Sequence, residues 1–377
     1  MKIIGQFCLI KNIIFSLLAV AVILSPLKIN AIQSSNQNLN YNKIDSIPDQ
    51  QLEIQRIKPK DYLNWGIDPL KTVGSINLDV EQVVKNVKPK RSIVVAIIDT
   101  GIDYHHHFFK NSLITKEGPA TEKNYGLDFT ETQTKTKTQK NLSTTPYDSH
   151  GHGTHVAGII KNIFPDVKFL ILKYFANNSS QNDTLKASIA AFQYAIDLNV
   201  DIINYSGGGP GSSEEEKAVL QGAQKKGILV VTAAGNEHSD IDLPKNAYFP
   251  ASYHFNNIIT VMAHDQSVQL LPSSNWGKYN VDISAPGSKI ISTLPYDGSG
   301  PLTGTSQATA FVTAVAALLK SHNPKLDASS LKKIIIKSAT PIDGLKNKCA
   351  SSGILNSQGA IENLIKEEKN GQSLTSM

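Results

Sequence analysis

Two hydrophobic periodicities alternate along the chain. Ser92 to Ile98 (SIVVAII) is a continuous β-branched run, the pattern of a strand covered on both faces in a parallel sheet. Further strands are predicted at Lys168 to Phe175, Val200 to Tyr205, Ile228 to Ala233 and Asn257 to Ala263. Helical spacing separates them. Ile159, Ile160 and Ile163 follow a glycine-rich stretch, and Asp183 is placed to cap a helix whose Leu185, Ile189, Phe192 and Ile196 make one face. Ser213 with Glu216 reads as a capping box ahead of a helix that stops at Gly227. The longest apolar helix carries Ala308, Phe311, Val312, Val315, Ala316, Leu318 and Leu319 and runs to about Lys320, with Thr305 or Ser306 at its N-cap. Strands alternating with helices predict an α/β fold: three layers, a mostly parallel central sheet with helices on both faces. No internal repeat or second core interrupts residues 62–365, which are predicted to form one domain with a tail at 366–377.

The N-terminus departs from this pattern. Lys2, Lys11 and the apolar run Ile13 to Leu24 have the layout of a secretory signal, residues 1–31, with Ala31 at the cleavage point. Export to a secreted or periplasmic location follows as an expectation, with no stable membrane association after cleavage. Residues 32–61, rich in Asn, Gln and Ser, read as a linker or short pro-segment. Without residues 1–31 the formal net charge falls from +5 to +2, which gives no electrostatic footprint for nucleic acid. Cys8 lies in the signal and Cys349 is then alone, so the mature chain has no internal disulfide.

Three stretches carry candidate chemistry. Asp99 ends the first strand, the edge where open α/β sheets place functional groups. His152 and His155 lie within Asp148-Ser149-His150-Gly151-His152-Gly153-Thr154-His155; their spacing shares a helix face and suits zinc, but the stretch lacks the glutamate base of a zinc hydrolase. The triplet His105 to His107 lacks a ligand-like partner in its neighbourhood of the sequence. Ser306 stands at the mouth of the long apolar helix, where the dipole and unpaired N–H groups favour developing negative charge.

These residues recur in blocks. Val95 to Ile102 (VAIIDTGI), His150 to Gly158 (HGHGTHVAG), Ala233 to Glu237 (AAGNE) and Gly304 to Thr309 (GTSQAT) resemble the four signature blocks of subtilisin-like serine peptidases, in the same order. Asn204 to Pro210, Phe249 to Tyr253, Asp282 to Gly287 and Gly353 to Asn356 agree, so the resemblance covers roughly residues 62–362. It implies a subtilisin-like fold and an endopeptidase acting on protein or peptide substrates through Asp99, His152 and Ser306. Asn236 would be the side-chain donor to the oxyanion. Ser206, Gly207 and Gly208 would bind an extended substrate strand, and Ala233, Ala234 and Gly235 would wall the primary specificity pocket. Tyr248 falls where the family often has a small residue at that pocket's base, which implies a shallow pocket that disfavours large aromatic residues.

The chain departs from the family pattern at Gln307, Ala310 and Phe311, where Met, Pro and His are common. Phe108 replaces a calcium-ligating Asp, and Ile163-Phe164-Pro165 leads directly to the next strand without the loop of the tight calcium site. The expectation is therefore no metal and no cofactor, in a monomer. The rival reading from another class is a catalytically inactive binding module of the same shape.

Overall fold

The computed structural model describes residues 64–67, 73–78, 87–114, 116–117, 123–130, 142–177 and 179–375, all within the second of two compact units, Ile57–Met377. The predicted signal and the segment 32–61 lie outside the described residues.

The strands, in chain order, are β1 (Val94–Asp99), β2 (Lys116–Glu117), β3 (Lys123–Asn124), β4 (Gly126–Asp128), β5 (Lys168–Lys173), β6 (Ile202–Tyr205), β7 (Leu229–Ala233), β8 (Ile258–His264), β9 (Ile283–Pro286), β10 (Ile290–Leu294), β11 (Gly298–Leu302), β12 (Thr340–Pro341) and β13 (Gly353–Ile354). Nine of them form one sheet in the order β12-β13-β9-β8-β7-β6-β1-β5-β4. Every pairing in it is parallel except that of the edge strand β12 with β13. β10 and β11 make a separate antiparallel hairpin.

The continuous apolar runs have the expected cause. In β1, Val95 and Ile97 join the first of three core clusters while Ala96 and Ile98 join the second, because successive side chains of a strand point to opposite faces. Helices α1 (His152–Ile163), α4 (Thr305–His322), α5 (Ala328–Lys337) and α6 (Ser357–Thr375) serve the first cluster, and α2 (Gln181–Asp197) and α3 (Glu214–Lys225) serve the second. The result is the predicted three-layer α/β arrangement. α4 is the centre of the first layer, with Thr305 to Ser321 buried without a break.

Boundaries differ from the sequence reading where capping chemistry decides them. The cap of α2 is Ser180, whose hydroxyl oxygen accepts the Asp183 N–H; Asp183 sits inside the first turn. At α4 the cap is Gly304, and both Thr305 and Ser306 are helical. Half of the capping box at α3 forms: Ser213 Oγ accepts the Glu216 N–H, but the Glu216 carboxylate turns to the Tyr253 hydroxyl at 2.9 Å. α6 does not stop at the expected domain end near 365 but continues through the predicted tail to Thr375.

Glu216 is 2% exposed. Burial opposes its ionisation more than the Tyr253 hydroxyl supports it, and its pKa is pushed up to about 7 from 4.5. A carboxyl whose folded value is raised contributes stability at low pH that is lost as pH climbs from the unfolded value through the folded one. Denaturation midpoints are therefore expected to fall between pH 4.5 and about 7. Urea titrations across that window should show a flatter dependence in Glu216→Gln.

Candidate active site

The loops after β1, β6 and β7 and the first turns of α1 and α4 meet at the carboxyl edge of the sheet. β1 ends in Asp99, which is 3% exposed. Gly151, at φ 97°, caps α1 and starts it at His152. A side chain at Gly153 would collide with the Gly101 carbonyl oxygen at 2.2 Å and touch Asp99 Cβ at 3.2 Å, so glycine there lets α1 begin hard against the end of β1. His152 Nδ1 consequently reaches Asp99 Oδ1 at 2.7 Å. The same oxygen accepts the Thr100 N–H at 2.7 Å.

Burial disfavours an imidazolium at His152, but the attraction and hydrogen bond of Asp99, with a smaller contribution from Asp148, outweigh it and raise the pKa above 6.5. His155, one turn on, behaves oppositely. Burial pushes it down to about 4, and its Nε2–H donates to the carbonyls of Ile290 and Gly300 at 2.9 and 3.1 Å. Facing the β10–β11 hairpin, His155 does not join His150 and His152 in a ligand set.

Ser306, 7% exposed, lies in the first turn of α4. Its hydroxyl donates to the Ser206 carbonyl at 3.2 Å, and the Ser206 hydroxyl donates back to the Ser306 carbonyl at 3.3 Å. The Ser306 hydrogen bond thus goes to the end of β6 and not to His152. Asn236 follows β7; its Oδ1 accepts the Thr305 N–H at 3.0 Å and the Thr305 hydroxyl at 3.3 Å. With the oxygen held, the amide Nδ2 is the end available to a ligand.

The segments expected to bind substrate lie near one another. Gly209 pairs with Phe249 through two main-chain bonds of 3.0 and 2.8 Å, which brings Tyr248 beside Gly208. A Cβ on Gly208 would lie 2.4 Å from the Tyr248 ring, and one on Gly235 would lie 3.0 Å from the same ring. Tyr248 therefore stands between Ser206-Gly207-Gly208 on one side and Ala233-Ala234-Gly235 on the other. Burial raises its phenol pKa, with the Glu237 charge adding to the effect.

Two parts of the site carry weaker sequence signals. Asn275, 1% exposed, accepts the N–H groups of Glu237 and Ser239 and donates to the Ala234 carbonyl, bracing the Asn236 loop; nothing in its neighbourhood of the sequence marks it. Asp297 comes from the β10–β11 turn to His107 Nδ1 at 2.9 Å, supplying a carboxylate the histidine triplet lacked locally. The ligand atoms of His106, His107 and Asp297 lie within 4.8 Å of one another. Both ring nitrogens of His106, however, already bond the main chain, to Phe108 N–H and the Gly298 carbonyl.

Residues 90–360 match the subtilase family, Peptidase S8. The chain is 35% identical over 291 residues to the major intracellular serine protease of Bacillus subtilis strain 168, covering 73% of this chain and 84% of that protein. It is 34% identical over 202 residues to subtilisin DY of Bacillus licheniformis, covering 51% and 72%. A solved cold adapted subtilisin-like serine proteinase superposes with a TM-score of 0.61 at 26% identity, over 78% of this chain and 98% of the other. The prenylagaramide maturation protease gives 0.59 at 28%, over 75% and 97%. The class is thus a serine peptidase on a subtilisin-like fold. The chain belongs to the subtilase family, and its substrates are proteins or peptides.

NMR titration of His152 should give a midpoint above 6.5. In Asp99→Asn the midpoint should move down, because removing the anion leaves burial as the dominant influence.

Proposed function

We propose that this peptidase cleaves internal peptide bonds through Asp99, His152 and Ser306, with Asn236 as the side-chain donor to the oxyanion. The observation that carries the reading is the 2.7 Å Asp99–His152 pair at the same sheet edge as a serine in a helix's first turn. A hydroxyl at neutral pH needs a base to become a nucleophile, and that base needs to be held in one tautomer. Asp99 holds the proton of His152 on Nδ1, leaving Nε2 to take the Ser306 proton once the hydroxyl turns from Ser206. Such contacts tighten when substrate binds. The serine oxygen then bonds the scissile carbonyl carbon, and the carbonyl oxygen becomes an anion between Asn236 Nδ2–H and the Ser306 N–H. The C–N bond breaks as His152 passes its proton to the leaving amine, which leaves an acyl-enzyme. Water, giving a proton to His152, then attacks the ester carbon; the C–O bond to Ser306 breaks and His152 returns the proton to the serine oxygen.

Tyr248 supports a selective reading of the same site. Its ring occupies space between the two walls, so the residue before the scissile bond is small. Export forms the second part of the proposal and rests on the Lys2, Lys11 and Ile13 to Leu24 layout. The Bacillus subtilis relative is intracellular by its name; N-terminal sequencing of protein from each cell fraction decides the compartment.

A fluorophosphonate probe should label the native chain at Ser306 and leave Ser306→Ala unlabelled. Absence of labelling in a folded native sample would turn the reading to a binding module. Asn236→Leu should lower kcat by about 10²- to 10³-fold, the loss known for the matching donor in subtilisin itself. Profiling with a peptide library should show Gly, Ala or Ser before the cleaved bond, shifting toward Phe and Tyr in Tyr248→Gly. A native preference for Phe or Tyr would remove the pocket reading.

A further inference from the structure

Asp148 lies outside the catalytic trio, yet no other carboxylate near it collects as many hydrogen bonds. It is fully buried. Oδ1 accepts from the Thr100 hydroxyl at 2.9 Å, the His150 N–H at 3.0 Å and the Gly151 N–H at 2.7 Å. Oδ2 accepts from the N–H and hydroxyl of Thr154 at 2.9 and 2.6 Å. Burial opposes ionisation, but these donors, the Thr154 hydroxyl first, outweigh it and hold the pKa below its ordinary value. Asp148 is therefore a carboxylate throughout the pH range in which a histidine titrates.

The positions of the donors give the network its meaning. Thr100 is the residue after Asp99, and its N–H bonds Asp99 Oδ1. The Thr100 hydroxyl, while donating to Asp148, accepts the Gly153 N–H at 2.9 Å, and Gly153 is the residue after His152. Gly151 immediately precedes His152, and Thr154 continues the helix; its hydroxyl also accepts the Asp103 N–H at 3.0 Å. Gly151 has no side chain with which to cap α1. Asp148 takes over that role from three residues upstream and ties the same oxygens to the end of β1. One carboxylate thus clamps the segments that carry Asp99 and His152.

Resting on the catalytic reading above, we propose that Asp148 is a positioning residue for that pair: it sets the approach of His152 to Asp99 through Thr100 and adds a second negative charge that favours the imidazolium formed during proton transfer. The charged and titratable groups around His152 are Asp99 on β1, Asp148 and His150 ahead of α1, and His155 within it. His155 is neutral, its pKa near 4, so the two carboxylates supply the fixed charge.

Asp148→Asn keeps the shape and removes the charge, and its amide nitrogen cannot accept the bonds that one carboxylate oxygen accepts. With kcat/KM followed from pH 5 to 9 on a peptide substrate, the acidic limb should shift to lower pH. The alkaline plateau of kcat should fall by about 10- to 100-fold, the scale of a small misplacement of a reacting group, with KM unchanged. Thr100→Val keeps the charge and cuts the relay; it should lower kcat without moving the limb, and Thr100→Ser should restore it. A merely structural role would reduce the folded fraction, read by active-site titration, and leave the limb in place. Folded Asp148→Asn with native kcat and native midpoint overturns the inference, and so does Thr100→Val with native kcat. If Asp148→Asn fails to fold, the Thr100 pair decides. Loss of Ser306-dependent labelling in the native chain overturns the catalytic reading and this inference together, whereas native labelling beside an unaffected Asp148→Asn overturns the inference alone.

Discussion

α4 is buried along almost its whole length, and the position of Ser306 follows from that. A helix buried from Thr305 to Ser321 cannot rotate or slide without disturbing packing on every side, since protein interiors are close-packed. Ser306 inherits that rigidity. Inside the helix, the Thr313 hydroxyl donates to Asn204 Oδ1 at 2.8 Å, and Asn204 Nδ2 donates to the Ser206 hydroxyl at 3.1 Å. Core packing and a polar chain therefore fix the same relation between α4 and the end of β6. Functional groups on rigid elements are held more closely than groups on loops.

The site also places buried negative charge where it is tolerated. A carboxylate out of water is costly unless hydrogen-bonded. Asp99 and Asp148 meet that condition with donors from the start of α1 and the turn after β1. The two acids sit on either side of Thr100, which donates its N–H to one and its hydroxyl to the other. Glu216 solves the same problem differently. With a single neutral donor in Tyr253, it moves toward the protonated form.

In the reading proposed above, specificity is grafted onto this frame at one residue. Gly208 and Gly235 leave room beside them, and Tyr248 fills it. The flanking segments are main chain and small side chains whose positions follow from β6 and β7, so the space left between them depends on the side chain at 248. The Asp99–His152 geometry and the space beside Tyr248 are in that sense separable, with the first set by a helix start and the second by one ring.

The layers and the parallel sheet were legible in the sequence, and so were the residue types that fold to one edge of the sheet. Apolar runs such as Ser92 to Ile98 and the periodic face of α4 are local patterns, and motifs such as Gly304-Thr305-Ser306 are contiguous, so both are legible residue by residue. Capping was less legible. Ser180 and Asp183 both carry cap-forming oxygens, and only the formed helix shows which of them lies outside it. Tertiary structure alone decided that Asn275 braces the Asn236 loop across 38 positions, that Asp297 meets His107 across 190, and that Ser306 bonds Ser206 across 100. These contacts leave no local signal because a hydrogen bond depends on where folding brings the partners, and nothing about either partner's neighbours in the chain specifies the other.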